Sequence, residues 1–200
     1  MISLDAPTDN SIEVTKKLIA DDDRFYLIVN KKRLGVCHNM YAIIKQTEKI
    51  LEPQDRDVTA VIDADDYVSK DAFATVERVY RKHPNTRITH GSYKKRSKGR
   101  RTKISKPNPK RGNIRKLLWR ASHLKTIKWK IIKQVKPDWF KHKGKWLEAA
   151  SDLALMFPCI ELAGLKRVRH VHKVIYYWND HMTKRKKILQ KQCERRLRKG

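Results

Sequence analysis

Three carboxylates, Asp63, Asp65 and Asp66, follow a short apolar segment at residues 58–62. The segment Val-Thr-Ala-Val-Ile predicts a buried strand, and the interior of a sheet does not tolerate unpaired charges. We therefore expect the carboxylates at the carboxyl end of the strand, where open α/β sheets bind ligands. Asp63 and Asp65 could hold one Mg²⁺ or Mn²⁺ there, because these ions prefer carboxylate oxygens and keep positions open for phosphates. The alternative is a turn followed by a helix cap, since Asp is common at both.

Helices and strands alternate around this segment. Apolar residues at helical spacing, with polar capping residues, predict helices over residues 11–20, 36–51 and 69–81. Short apolar runs predict strands over residues 25–29, 58–63 and 88–93. This alternation is typical of an α/β fold with a mostly parallel, open sheet flanked by helices.

The second half of the chain combines basic segments with apolar ones. Residues 94–112 are rich in Lys, Arg, Ser, Gly and Pro, and they predict a basic loop. The pattern after it predicts helices over 113–132 and 147–162, a strand or strand pair over 167–178, and a basic helix over 184–199. We predict a single domain over residues 1–183, with parts 1–93, 94–145 and 146–183, followed by a basic tail at 184–200.

The formal charge of +27 is concentrated in two segments. Residues 94–145 contain 21 Lys and Arg against one Asp, and residues 184–200 contain nine against one Glu. Residues 1–93 are close to neutral, with 14 basic and 15 acidic side chains. Because self-repulsion disfavours such a concentration, it predicts a polyanionic partner. Nucleic acid is one candidate, bound with strong salt dependence, and an anionic membrane surface is the other.

The composition also bears on the cellular compartment. The sequence has no run of about 18 apolar residues, which excludes a membrane-spanning helix. Its first residues, Met-Ile-Ser-Leu-Asp, lack the basic and apolar regions of a secretory signal. Cys37, Cys159 and Cys193 are widely spaced and match neither a disulfide framework nor zinc-ligand spacing. These features predict a cytoplasmic protein, located in the host cytoplasm if the chain is viral.

Several segments occur in an order that resembles a known enzyme family. They are Thr8-Asp9-Asn10-Ser11, Leu34-Gly35-Val36 with Asn39, Asp63-Ala64-Asp65-Asp66, Ser122-His123-Leu124-Lys125-Thr126 and Trp146-Leu147-Glu148-Ala149-Ala150-Ser151-Asp152. The ordered set resembles family-2 glycosyltransferases, which have the GT-A fold. The resemblance implies a nucleotide-sugar donor held by residues 1–93, an acceptor beside the basic segment 94–145, and a catalytic base in 146–183.

The resemblance also implies a metal site. In family-2 glycosyltransferases an Asp-x-Asp motif holds a divalent cation, and Asp63 and Asp65 correspond to that motif here. Asp63 could also contact the ribose of the donor. Some relatives take a third metal ligand from the C-terminal region, where His172 and His181 lie in this chain. We expect Mn²⁺ or Mg²⁺ at Asp63 and Asp65, with His181 as the candidate third ligand.

The donor-binding residues implied by the resemblance are Asp5, Asn30, Gly35 and Asn39. Asp5 matches a position that contacts the base, and a turn-forming role for it is equally compatible with the sequence. Family members open with a βα unit that precedes the segment matching Asp5. The match here begins at the second strand, as if about 35 to 45 residues were absent. A fragment, a reduced base pocket, or a partner chain that supplies the strand would each account for this departure.

Asp152 is the candidate catalytic base, because the family places a carboxylate at a helix start after the acceptor loop. Its neighbours Ala149, Ala150, Leu153 and Leu155 would desolvate a carboxylate and make it more basic. The alternative is an Asp in the first helical turn that is favoured by the helix dipole. Glu148 is the second candidate for the base.

These observations predict a metal-dependent, inverting glycosyltransferase. It would transfer a sugar from a nucleotide-sugar to a hydroxyl of a polyanionic acceptor, such as a hydroxymethylated base in viral DNA. One alternative is a peripheral membrane glycosyltransferase that acts on an envelope or lipid-linked glycan. Another is a non-catalytic nucleic-acid-binding protein on a degenerate glycosyltransferase scaffold.

Overall fold

The computed structural model describes residues 1–95, 102–103, 111–179 and 183–199, which form an α/β architecture. The strands are β1 (Ile2–Leu4), β2 (Leu27–Val29), β3 (Val58–Val61), β4 (Tyr67–Val68), β5 (Ile88–Lys95), β6 (Thr102–Lys103), β7 (Ser122–Lys128), β8 (Lys141–His142), β9 (Lys145–Trp146) and β10 (Val168–Trp178). The helices are α1 (Ser11–Ile19), α2 (Val36–Leu51), α3 (Ala72–Lys82), α4 (Trp129–Ile132), α5 (Ser151–Ala163) and α6 (Lys184–Lys199), with 3₁₀ turns at Pro137–Phe140 and Leu165–Arg167.

The main sheet is mixed, so the prediction of a mostly parallel sheet is wrong in this detail. Its order is β3-β7-β5-β10-β4, and β6 pairs with β5. Among the described residues of this sheet, only β5 and β10 pair in parallel, whereas the β3–β7, β7–β5, β10–β4 and β5–β6 pairs are antiparallel. Strands β1 and β2 form a separate parallel pair. A parallel neighbour requires a crossover connection, whereas a chain that turns back directly pairs antiparallel.

Residues 113–132 do not form the predicted helix: residues 122–128 are strand β7, and residues 113–121 form turns and irregular structure. Four consecutive residues of β7, from Leu124 to Ile127, are buried because β7 lies inside the sheet between β3 and β5. A strand covered on both faces loses the alternating pattern by which a strand is distinguished from a helix. Helical structure is confined to the short helix α4 at the end of the segment.

Two hydrophobic clusters cover the main sheet. The smaller cluster includes Ala72 and Val76 of α3 together with Leu124 of β7. The larger one includes Ile127 of β7 and most of α5. Leu124 and Ile127 are three residues apart on a strand, so their side chains point to opposite faces. The sheet is therefore packed between α3 on one face and the α5 layer on the other.

Helix α5 lies at the centre of the larger cluster. Nine of its 13 residues are buried, including Pro158 in its interior. A helix that is apolar on all sides is stable only when other elements surround it, and α2, α4 and α6 all contact α5. The helix begins at Ser151 rather than at residue 147 as predicted. This later start places Asp152 in the first turn.

The N-terminal part of the chain is held mainly by polar contacts. None of residues 1–36, all of which the structure describes, is fully buried, and Cys37 is the first buried residue. The predicted helices α1 and α2 are confirmed, and the strand predicted at 25–29 is the shorter β2. Because these elements bury little apolar surface, hydrogen bonds at the start of α2 position them.

Two basic segments were predicted, and the structure describes them unequally. The predicted C-terminal helix is confirmed as α6, with the expected bounds. The predicted loop 94–112 lies largely outside the described residues; of its described residues, Lys94 and Lys95 extend β5, and Thr102–Lys103 forms β6. Within the described part of the chain, no helix is long and apolar enough to cross a membrane.

Candidate active site

The predicted donor-binding residues meet in one hydrogen-bond network at the start of α2. Asp5, just after β1, accepts hydrogen bonds at Oδ1 from Asn30 Nδ2 (2.9 Å) and from the Leu34 backbone N–H (2.8 Å). Its Oδ2 accepts from the Gly35 N–H (2.9 Å). Burial opposes ionisation of Asp5, but the hydrogen bonds from Leu34, Asn30 and Gly35 together lower its pKa. Asp5 is therefore an ionised anchor for the loop before α2, and Oδ2 retains a lone pair for one more donor.

Asn39 connects this loop to β1. Its Oδ1 accepts hydrogen bonds from Asn30 Nδ2 (2.9 Å) and from Ser3 Oγ (2.7 Å). Gly35, directly before α2, has φ +82° and ψ 160°, a conformation essentially restricted to glycine. The structure thus brings Asp5, Asn30, Gly35 and Asn39 together at a helix N-terminus, where backbone N–H groups favour anions.

The three carboxylates after β3 have different surroundings. Asp66 Oδ2 accepts a hydrogen bond from Tyr176 Oη (2.6 Å), and Asp66 Oδ1 accepts one from the Asn179 N–H (2.7 Å). Asp66 therefore fastens the carboxyl end of β10 to the turn after β3. Within the described residues, the side chains of Asp63 and Asp65 make no hydrogen bond or ion pair. These two carboxylates remain available to a ligand.

Negative charge accumulates around Asp63. Asp63 as a whole residue is exposed, yet neighbouring atoms desolvate its carboxylate enough to raise the pKa of that group. Lys125 opposes this rise, whereas Asp66, Asp152 and Asp65 add to it. The same desolvation, together with the hydrogen bond to Asp66, raises the pKa of Tyr176 and keeps its hydroxyl a donor. A cation bound here would relieve the repulsion among these carboxylates.

Asp152, which adds to the negative charge around Asp63, forms an ion pair with a buried lysine. Lys125 Nζ lies 3.5 Å from Asp152 Oδ2 and 3.3 Å from His123 Nδ1, and only 6% of the Lys125 side chain is exposed. Burial and the nearby Lys125 charge hold the pKa of His123 well below its usual range, so the neutral ring can accept a hydrogen bond from Lys125. The sequence indicated apolar surroundings for Asp152. The structure adds a positive charge to them, that of Lys125.

Lys125 is the functional candidate that sequence reasoning missed. It occurs in the segment Ser122-His123-Leu124-Lys125-Thr126, where the prediction placed a helix and gave Lys125 no role. The pairing of β7 with β3 sets Lys125 opposite Val61, two residues before Asp63. The available signal was a lysine between Leu124 and Ile127 in a strand-forming run, because a lysine that becomes buried almost always has a charged partner.

The other predicted residues lie apart or outside the described chain. Glu148 is exposed before α5. His172 is exposed on β10, and its ring centroid lies 4.8 Å from that of His170. Along the extended strand, His172 is about 13 Å from Tyr176, the β10 residue that contacts Asp66. His181 lies outside the described residues. Among the residues that the structure describes, no three His, Cys, Asp or Glu side chains form a group that could hold a metal ion.

Two cavities of the described residues do not coincide with the carboxylates. One, of about 840 Å³, is lined by α1, the Asp21–Asp23 turn and β2. The other, of about 280 Å³, lies between α5, α6 and the segment around Trp139. Neither is lined by Asp63, Asp65 or Asp152. The assignment of the site therefore depends on the chemistry of the side chains and not on an enclosed pocket.

Comparison with known proteins identifies the family. A family model described as glycosyl transferase family 2 matches residues 1–139. The structure is similar to TarS 1–349 from S. aureus, with a TM-score of 0.61 and 17% identity over 88% of this chain and 50% of that one. A longer TarS structure gives a TM-score of 0.62 and 16% identity, covering 89% of this chain and 30% of TarS. No protein with curated annotation matches the sequence significantly.

At these identities the likeness to TarS concerns the fold, and this chain spans half or less of the TarS structures. It confirms the predicted GT-A-like α/β fold, with the mixed sheet described above. The family match covers more than half of the chain and confirms the predicted family. The chain belongs to glycosyl transferase family 2.

Proposed function

We propose that the protein is a metal-dependent, inverting glycosyltransferase that uses a nucleotide-sugar donor and a polyanionic acceptor. The observation that supports this most directly is the grouping of Asp63, Lys125 and Asp152. The three side chains come from the turn after β3, from β7 and from α5, and they interact electrostatically. Such a grouping offers a place for the donor's diphosphate beside a candidate base.

Asp63 and Asp65 are the residues that would hold the divalent cation. Mg²⁺ commonly binds through one or two carboxylates and completes its coordination with substrate phosphates and water. Two carboxylates that make no hydrogen bond or ion pair within the described chain, in a locally negative environment, fit that requirement. When bound, Mn²⁺ or Mg²⁺ supplies positive charge that stabilises the departing diphosphate. The network of Asp5, Asn30, Gly35 and Asn39 would orient the nucleoside part of the donor.

Asp152 would act as the general base. The acceptor hydroxyl attacks the anomeric carbon on the face opposite the diphosphate, the bond to the diphosphate breaks, and the hydroxyl proton passes to Asp152. Direct displacement of this kind inverts the configuration. Lys125 contacts Oδ2 of Asp152 and so holds the carboxylate in one orientation. The other oxygen is then left to face the acceptor.

The charge distribution supports a polyanionic acceptor. Segment 94–145, with 21 basic residues against one acidic residue, contains β7 and ends shortly before Asp152. A phosphodiester backbone would neutralise such a segment and release counterions. We infer nucleic acid as the acceptor, with hydroxymethylated DNA as the first substrate to test.

Two substitutions test the catalytic assignment. Replacing Asp152→Asn should lower kcat by roughly 10² to 10⁴, the usual contribution of a general base, while calorimetry shows unchanged diphosphate binding. Replacing Asp65→Ala should abolish manganese-dependent binding of nucleoside diphosphates and leave DNA affinity intact. Glu148→Gln tests the second candidate base, and Glu13→Gln on α1 is a distant control. A loss of turnover in Glu148→Gln but not in Asp152→Asn would reassign the base.

The acceptor is tested by glycosyl transfer to hydroxymethylated duplex DNA over a salt series. Transfer that declines steeply with salt is expected from a phosphate-binding surface. Transfer only to lipid-linked glycans, insensitive to salt, would reject nucleic acid as the acceptor. Tight DNA binding without any manganese-dependent diphosphate binding by the intact protein would indicate a non-catalytic scaffold.

A further inference from the structure

Helix α6 presents a strongly basic surface. Its 16 residues include nine Lys and Arg and one acid, Glu194. Glu194 is already paired, since its Oε1 accepts from Arg198 Nε (3.0 Å) and Nη2 (2.7 Å). The exposed cations are Lys184, Arg185, Lys186, Lys187, Lys191, Arg195, Arg196 and Lys199. This helix surface therefore carries positive charge that no acid on α6 neutralises.

Five of these cations form a line on one side of the helix. Lys184, Lys187, Lys191, Arg195 and Lys199 follow one another at intervals of three or four residues, and such residues are neighbours on a helix surface. Successive cations are about 4.5 to 6 Å apart along the axis, and the line is about 22 Å long. We call these five residues the cationic track. A linear polyanion could contact each of them in turn.

The opposite side of α6 is fixed to the protein core. Cys193 and Leu197 are buried, and Leu189 packs against the same hydrophobic cluster as α5. Near the end of α6, on the same side as Lys191 and Arg195, Arg198 Nη1 also donates hydrogen bonds to the carbonyl oxygens of Arg115 (2.6 Å) and Leu117 (3.0 Å). The helix is thus a rigid support for the cationic track.

The middle of the track lies near the start of α5. Gln190 Oε1 accepts a hydrogen bond from the backbone N–H of Ala150 (3.0 Å), and Ala150 immediately precedes α5 and its Asp152. Gln190 lies next to Lys191 and one helical turn after Lys187 in the sequence. A strand bound along the track would therefore pass close to the first turn of α5.

We propose that the cationic track binds the phosphodiester backbone of a nucleic-acid strand and directs that strand toward Asp152. The guidance of the strand toward Asp152 rests on the proposed function, whereas the binding of the strand to the track does not. A membrane surface is a less suitable partner, because the apolar side of α6 is packed inward. The main exposed apolar residue of α6 is Ile188, of which 59% is accessible to solvent. Helices that lie in a membrane interface instead turn a broad apolar face outward.

The test compares two variants with the same change in net charge. One replaces four track residues, Lys187→Gln, Lys191→Gln, Arg195→Gln and Lys199→Gln. The control replaces exposed lysines on other helices, Lys16→Gln, Lys17→Gln, Lys49→Gln and Lys82→Gln. Binding of a labelled single-stranded oligonucleotide is measured by fluorescence anisotropy between 0.05 and about 0.4 M salt, a range over which counterion release is readily resolved. Circular dichroism melts confirm that both variants fold.

The track variant should lose on the order of 100-fold in affinity at about 0.1 M salt, and its slope of log K against log salt should fall by about 3, because each phosphate contact contributes roughly 0.7. The control should keep the slope of the unmodified protein. Equal losses in both variants, or none in the track variant, would overturn the proposal. So would a track variant that keeps oligonucleotide binding but no longer sediments with phosphatidylserine vesicles. The binding assay contains no sugar donor, so its result does not depend on catalysis. A protein that binds the oligonucleotide through the track but transfers no sugar in the separate acceptor assay would reject only the proposed function.

Discussion

His90 makes the stability of this protein sensitive to acid. It lies on β5, is fully buried, and has its ring centroid 5.1 Å from that of His170 on β10. Burial, with smaller contributions from His170 and Lys125, lowers the pKa of His90 to about 3. The imidazole therefore stays neutral in the folded protein over the whole range in which an unfolded histidine takes up a proton.

The sign and size of the effect follow from proton linkage. Below the ordinary histidine pKa of 6.5, the unfolded chain binds a proton at His90 that the folded chain does not bind. The free energy of unfolding then falls by about 1.4 kcal/mol for each pH unit until the folded pKa is reached. Between pH 8 and pH 5, His90 alone should therefore remove about 2 kcal/mol of stability.

The assay is urea denaturation followed by tryptophan fluorescence at pH 5, 6, 7 and 8, at constant ionic strength. The variant His90→Asn lacks the titrating group, so its loss of stability between pH 8 and pH 5 should be about 2 kcal/mol smaller than that of the unmodified protein. His83→Asn, at an exposed position after α3, is the control and should retain the full loss. A His90→Asn curve parallel to that of the unmodified protein would refute the reasoning.

Two further substitutions test the site. Lys125→Met should raise the pKa of Asp63 further, because Lys125 is the cation that lowers it. Carboxyl NMR titration measures this, and an unchanged Asp63 titration, or an equal change in the control Lys128→Met, would contradict the assignment. Gly35→Ala should destabilise the protein by about 1–3 kcal/mol in urea denaturation, because φ +82° with ψ 160° strains any residue with a Cβ; an unchanged midpoint would mean that this loop relaxes freely.

The sequence by itself determined the elements whose signals are local. Helices α1, α2 and α6 and strand β10 lie close to their predicted positions, because helical spacing of apolar residues and an extended β-rich run are visible within one segment. The position of Asp63, Asp65 and Asp66 at a strand end was equally visible. An abrupt change from apolar to charged residues marks the place where a buried strand ends.

Tertiary structure decided the properties that depend on distant partners. Residues 122–128 became strand β7, not a helix, because β3 and β5 pair with it on both sides. That pairing placed Lys125 against Asp152, which is 27 residues away along the chain. Asp66 has a different role from its neighbour Asp65, because Asp66 accepts a hydrogen bond from Tyr176, which is 110 residues later in the chain. Such contacts arise only when the sheet forms, since its register determines which side chains face one another.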